Sequence, residues 1–211
     1  MSDVALVRGE EEVFARTAHL FVTAADVACA ANDLYTWAAS RSHAAPPPQQ
    51  HRPARVRKIY RPGVLLEPTA AAHLRELAAT GVDIRITAEE INETIIVDRR
   101  LVILAGDVHD GARTYTVLTR PEVVEGVLSL FEAAWRGATP LAGYDADFAE
   151  LRVLVPRILD MLASGCKDET AARTLGLGVR TYRRRVAELM AALGASSRFQ
   201  AGVRARELGL V

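Results

Sequence analysis

The sequence predicts a mixed α/β domain followed by an all-helical module of four helices, the whole preceded by a long N-terminal helix. Three observations lead there. Between residues 54 and 146, short apolar segments alternate with helical ones. From 147 to 211, only helical spacing remains. The charge divides at nearly the same place. The chain has 26 basic and 26 acidic residues and no net charge. Residues 151–211 nevertheless hold 11 Arg and Lys against 5 Asp and Glu, while residues 1–150 hold 15 against 21. A basic module on an acidic body is the charge arrangement of a chain that meets phosphate through one end. Of the basic residues 24 are Arg, and 36 residues are Ala, so the positions of the arginines say more than their number.

Composition narrows the class. Half of the 211 residues are hydrophobic and a quarter are charged, which is globular rather than disordered. No apolar run reaches the roughly 18 residues that a membrane span requires. Met1 to Glu12 is acidic and lacks the basic-then-apolar order of a signal peptide. Two cysteines, Cys29 and Cys166, exclude a disulfide scaffold. The expected location is cytoplasmic, with no membrane partner.

Along the chain, residues 1–43 are expected to hold the N-terminal helix, over 10–41. Phe14, Ala18, Phe21, Ala25, Ala28, Leu34 and Trp37 recur there at three- and four-residue steps without Gly or Pro. That stripe needs a partner, either its own domain or a second copy. Ala24, Ala25, Ala28 and Ala31 suit close helix approach, and Cys29 reads as a small buried side chain. Residues 44–53, with Pro46, Pro47 and Pro48, form a stiff linker. The α/β domain, 54–146, contains strands at 56–60, 82–86, 94–97, 101–105 and 114–119. Its helices run from Pro68 to Thr80 and from Pro121 to about Trp135, with Pro in the favourable first turn. The final domain, 147–211, contains helices at about 148–164, 168–175, 179–193 and 197–208, punctuated by Gly165, Gly176, Gly178 and Gly194.

Within that last domain, a helix of about eight residues, a Gly-containing turn and a longer helix describe a helix-turn-helix. Val179, Tyr182, Val186, Leu189, Met190 and Leu193 share one face of the longer helix. Arg180, Thr181, Arg184 and Arg185 lie opposite, with Arg183 on the flank. Arg pairs bidentately with guanine O6 and N7 or holds phosphate.

Gly165-Cys166-Lys167-Asp168-Glu169-Thr170-Ala171-Ala172, Leu175-Gly176-Leu177, Thr181, Val186, Leu193-Gly194-Ala195 and Ser197-Arg198-Phe199-Gln200-Ala201 together resemble the LuxR/GerE-type helix-turn-helix. The resemblance covers about 150–211. It implies a four-helix DNA-binding domain whose third helix enters the major groove and whose last helix supports dimerisation, hence a homodimer on two half-sites of double-stranded DNA. Carried over by position, Arg183 and Arg184 are the expected base-edge contacts, and Ala187 meets a thymine methyl. Arg180, Thr181, Arg185, Lys167 and Arg198 are the expected phosphate contacts. Three departures stand out: Gly178 at the cap where Ser is frequent, the acidic Asp168-Glu169 opening, and Pro156 in the first helix.

The middle domain resembles a degenerate phospholipase-D-like half-domain of the kind found in TrmB-like regulators. The resemblance rests on the order of elements and on Ile91-Asn92-Glu93-Thr94-Ile95-Ile96-Val97-Asp98. Phospholipase D enzymes carry His-x-Lys-x4-Asp; the aligned residues here are Ile91, Glu93 and Asp98. Without the nucleophilic His and the phosphate-holding Lys, no catalytic residue is assigned, and the chain is expected not to be an enzyme. Asp98 reads as a turn residue, Arg85 as a surface partner of Asp98 with an anionic ligand as the alternative, and Phe131 and Trp135 as core or interface. The five His lack metal-ligand spacing, and no Gly-rich phosphate loop is present, so neither metal nor cofactor is expected. The expected function is a DNA-binding transcriptional regulator, with a small-molecule or protein effector left open. The rivals are a non-DNA-binding module that pairs with a longer regulator, and a phospholipase-D-type phosphodiesterase.

Overall fold

A computed structural model describes residues 3–32 and 53–211. In chain order the elements are β1 Val4–Arg8, α1 Glu10–Val22, β2 Asp26–Ala31, β3 Arg55–Tyr60, a 3-10 turn Pro62–Leu65, α2 Pro68–Ala79, β4 Asp83–Ile86, β5 Thr94–Val97, β6 Leu101–His109 and β7 Ala112–Leu118. There follow α3 Pro121–Gly137, β8 Thr139–Pro140, α4 Leu141–Ala163, α5 Asp168–Leu175, α6 Val179–Ala192 and α7 Arg198–Glu207. The eight strands form one sheet in the order β1-β7-β6-β5-β2-β3-β4-β8. Strands β2, β3 and β4 run parallel, and the other pairings are antiparallel.

Burial on both faces explains the composition of the central strands. All four residues of β5 are buried, so Thr94-Ile95-Ile96-Val97 reads as a continuous apolar run rather than an alternation. One face packs on α3 through Val124, Leu128, Phe131 and Trp135, a stripe at helical spacing. The other packs on α1, α2 and the start of α4 around Val13, Leu74, Ile86, Ile103 and Tyr115.

The N-terminal segment corrects the expected helix of 10–41. Helix α1 ends at Val22, and Asp26–Ala31 is a central strand. Ala-rich sequence favours helix in isolation, but small side chains also fit a strand enclosed on both faces, and tertiary packing overrides propensity. Ala28 to Ala31 are all buried, between β3 and β5. Cys29 lies buried in this strand, and burial pushes its thiol up to about 11. Leu34, Trp37 and the Pro-rich linker lie outside the described residues. Strand β1, not foreseen, adds an edge beside β7.

Arg85 differs from expectation, and Arg57 was not singled out. Arg85 is not paired with Asp98: its guanidinium lies 4.5 Å from the centre of the Trp135 ring and donates to the Trp135 carbonyl at 2.9 Å. Arg57 is 3% exposed, 2.7 Å from Glu132 and 3.7 Å from Asp26, and 5.2 Å from the centre of the Phe131 ring. Strand alternation turns Arg57 and Ile59 to the same face, the one that α3 covers, so the guanidinium is buried against partly exposed carboxylates.

The helix α4 starts seven residues before the expected 148, at Leu141, and Pro156 lies inside it. Tyr144 and Phe148 pack against the sheet, whereas Leu151, Val155, Ile158 and Leu159 belong to the core of the helical end. The passage from one core to the other therefore occurs within a helix. Arg152 fastens it, ion-paired to Asp145 and donating through Nε to the Leu65 carbonyl.

Asp98 is a turn residue with a capping task. Asp98 and Arg99 have positive φ, 49° and 55°, and the Arg100 amide donates to the Val97 carbonyl, which closes a tight turn between β5 and β6. Asp98 Oδ1 accepts from the Ala25 and Asp26 amides, both at 2.8 Å, at the entry to β2. Asp98→Ala strands two donors and places Ala in the left-handed region. We expect a loss of about 2 kcal/mol in urea unfolding. Asp98→Asn retains an acceptor and tolerates that backbone, and should recover most of it.

Candidate nucleic-acid interface

Helix α5 ends at Gly176, whose φ of 70° is left-handed. The Leu177 amide reaches back to the Ala172 carbonyl at 2.8 Å and Gly176 to Arg173 at 3.1 Å. This paired closure satisfies the last carbonyls and turns the chain sharply. Gly178 then opens α6 with extended backbone and no side-chain cap. Tyr182, Val186, Leu189 and Ala192 are buried on the inner face of α6, against α4, α5 and α7. Last, Ser197 caps α7 by accepting from the Gln200 amide at 3.1 Å, while Gln200 accepts from the Ser196 amide at 2.8 Å.

The exposed face of α6 follows from that burial. Arg180, Arg183, Arg184 and Ala187 stand at i, i+3, i+4 and i+7, all exposed. Arg180 has no ion pair among the described residues. Arg184 lies 3.4 Å from Glu188, and its side chain is 61% exposed. Thr181 is half-buried on the flank, and Lys167, exposed, stands just before α5.

Asp168 joins two of the expected contacts. Its Oδ2 accepts from Arg183 Nε and its Oδ1 from Arg198 Nη2, each at 2.8 Å. Arg183 also lies 3.5 Å from Glu169. The hydrogen bonds from Arg183 and Arg198 hold the Asp168 carboxyl below its usual range. The acidic opening of α5 thus orients two arginines over the turn.

Arg185, also an expected phosphate contact, has carboxylate partners on two helices. Its side chain is only 12% exposed, ion-paired to Glu150 of α4 and 2.9 Å from Glu188. It ties α6 to α4 and shares Glu188 with Arg184 of the exposed stripe. Sequence spacing placed it opposite the apolar face; Glu150, on a different helix, was the signal that spacing cannot supply.

The phospholipase-D-like positions do not converge. Glu93 and Asp98 lie at opposite ends of β5, and Glu93, 8% exposed, is 2.5 Å from Arg113. Ile91 is apolar. Among the described residues no group of three or more His, Cys, Asp or Glu is placed to hold a metal ion. No helix among them is long and apolar enough to cross a membrane.

No family model matches the chain. The bialaphos biosynthetic pathway regulatory protein of Streptomyces hygroscopicus is 32% identical over 145 residues, covering 68% of this chain and 57% of that protein. The chain thus spans a little over half the length of a curated relative that is a regulatory protein. Among solved structures, TrmBL2, an archaeal chromatin protein, overlaps 65% of this chain and 54% of its own, with TM-score 0.46 and 14% identity. Nuc, a phospholipase D family member from Salmonella typhimurium, overlaps 65% of this chain and 96% of its own, with TM-score 0.47 and 12% identity. Overlaps this loose carry no weight for function.

The Asp168 cluster sets a pH dependence. A carboxylate held low in the folded state stabilises it above the unfolded pKa, and that contribution is lost as pH falls through the folded value. Asp168→Asn should therefore lower stability at pH 6. The gap to the parent chain should narrow below about pH 4, where the free carboxyl titrates, and close once Asp168 is protonated in both states. Urea unfolding across pH 2–7 measures it.

Proposed function

We propose that the chain is a DNA-binding transcriptional regulator that sets α6 in the major groove. The observation that carries this reading is the exposed stripe of Arg180, Arg183, Arg184 and Ala187 on a helix whose other face is locked into a core. In this reading Arg183 and Arg184 meet base edges and Ala187 a thymine methyl. Arg180, Lys167, Thr181 and Arg198 hold phosphates. Arg185 is left out, because it is engaged between α4 and α6. The regulatory relative supports the role, and the helix-turn-helix resemblance supports the target.

The same reading makes the regulator a cytoplasmic homodimer on two half-sites. Phe199 and Val203, one turn apart on α7, are 81% and 45% exposed, an apolar pair that suits a seam between two copies. Phosphodiesterase chemistry has no support from the β5 region, where no nucleophile is present at the aligned positions.

Binding of the purified protein to its own upstream DNA, followed by fluorescence anisotropy across a salt series, tests this. We expect specific binding that weakens steeply with salt, because phosphate contacts release counterions. Arg183→Ala and Arg184→Ala should each weaken specific binding about 5- to 100-fold and affect random DNA less. Equal losses on both DNAs sink the base-reading assignment. Absence of any preference over random DNA at low salt favours the interaction-module alternative.

A further inference from the structure

The sheet and the helical end of the chain enclose a cleft of about 600 Å³, within the size range of small-molecule sites. It opens beyond the C-terminal ends of the parallel strands β2 and β3, marked by Asn32 and Arg61. That end of a parallel sheet is where chains diverge and ligands enter. The facing wall comes from Leu193 and Gly194 after α6, and from Arg204 on α7.

Most charges in the cleft are already paired. Arg113 lies 2.5 Å from Glu93, and Arg204 lies 2.9 Å from Glu207. Arg61 differs. Among the described residues its buried Nε has no acceptor and its guanidinium no ion pair. A buried donor without an acceptor costs stability unless something supplies one.

Its position is set by a close approach. Gly194 has φ +63°, and a Cβ there would lie 2.7 Å from Arg61 Nη2. A Cβ on Gly63 would lie 3.1 Å from Leu208 and 3.3 Å from the Ala192 carbonyl. Two glycines thus let the ends of α6 and α7 press against the 3-10 turn and place Arg61 at the junction.

We propose that this cleft binds a small molecule through a single anionic group, a carboxylate or a phosphate ester, held by Arg61. The planar guanidinium presents parallel N–H groups that match either oxyanion. Exposed Glu90 in the same cleft disfavours a second anionic group and accepts a neutral or amine-bearing remainder. Because its two walls belong to the sheet and to the helical end, a bound molecule bridges the end of α6 and the sheet. Control of DNA binding by that route rests on the function proposed above; the site itself does not.

The test uses the full chain without DNA, with propionate and methyl phosphate as probes at constant ionic strength. The Arg61 Nε–H resonance, assigned through bonds, is followed by NMR, and the melting temperature is measured in parallel. We expect a saturable shift at millimolar concentration and a rise in melting temperature with at least one probe. A response to propionate alone identifies a carboxylate site, and to methyl phosphate alone a phosphate site. Arg61→Gln should abolish the thermal response, whereas the double substitution Arg180→Gln with Arg184→Gln should keep it. No saturable Arg61 shift with either probe overturns the proposal, as does a thermal response that survives Arg61→Gln. Should Arg61→Gln not fold, the resonance in the unaltered chain decides. DNA takes no part, so failure here is distinct from failure of the DNA-reading assignment.

Discussion

The helix α4 is the constraint on which the rest of the structure depends. Its 23 residues serve two cores in succession, the sheet through Tyr144 and Phe148 and the helical end through Leu151, Val155 and Ile158. Arg152 is anchored where these cores meet. Held by Asp145, it donates to the carbonyl of Leu65, at the end of the 3-10 turn after β3. A long, partly buried cation that satisfies both a carboxylate and a backbone carbonyl leaves little freedom for one core to slide on the other. Pro156 removes one amide from the ladder of this helix, yet the burial of Val155 and Ile158 on either side keeps the turn in place.

The candidate interface inherits that order. Helix α6 can expose an arginine stripe because Tyr182, Val186 and Leu189 fix its other face, and because Arg185 is fastened to Glu150 on α4. The carboxylates around the stripe are not spread evenly. Glu188 and Glu150 hold the flank, Asp168 holds Arg183 and Arg198 over the turn, and Arg180 stands without a partner among the described residues. The exposed pairs among these, Arg184 with Glu188 and Arg183 with Glu169, are weak in water. They orient side chains in the free protein, and under the DNA-reading proposal backbone phosphates would take their place.

Some of this was legible from the sequence. The helices of the C-terminal end follow from Gly165, Gly176 and Gly194, which end helices by taking left-handed backbone, and from the three- and four-residue spacing between them. The strand Thr94–Val97 and the turn at Asp98 follow from a β-branched run closed by Asp-Arg-Arg. The strand Asp26–Ala31 did not, because alanine spacing that suits a helix equally suits a strand buried on both faces, and only its neighbours β3 and β5 decide. The partners of Arg57, Arg185 and Arg61 were not legible for one shared reason. An arginine's role is set by the partners that the fold brings to it: Glu132 and the Phe131 ring in the first case, Glu150 in the second, and the close approach of Gly194 in the third.

The most direct measurement of the central claim is dimethyl sulfate probing of the protein on its specific DNA. If α6 lies in the major groove with Arg183 and Arg184 at guanine edges, guanine N7 is protected at positions one helical turn apart, and Arg184→Ala removes protection at one base per half-site. Protection confined to adenine N3 in the minor groove, or guanine protection unchanged by that substitution, contradicts it.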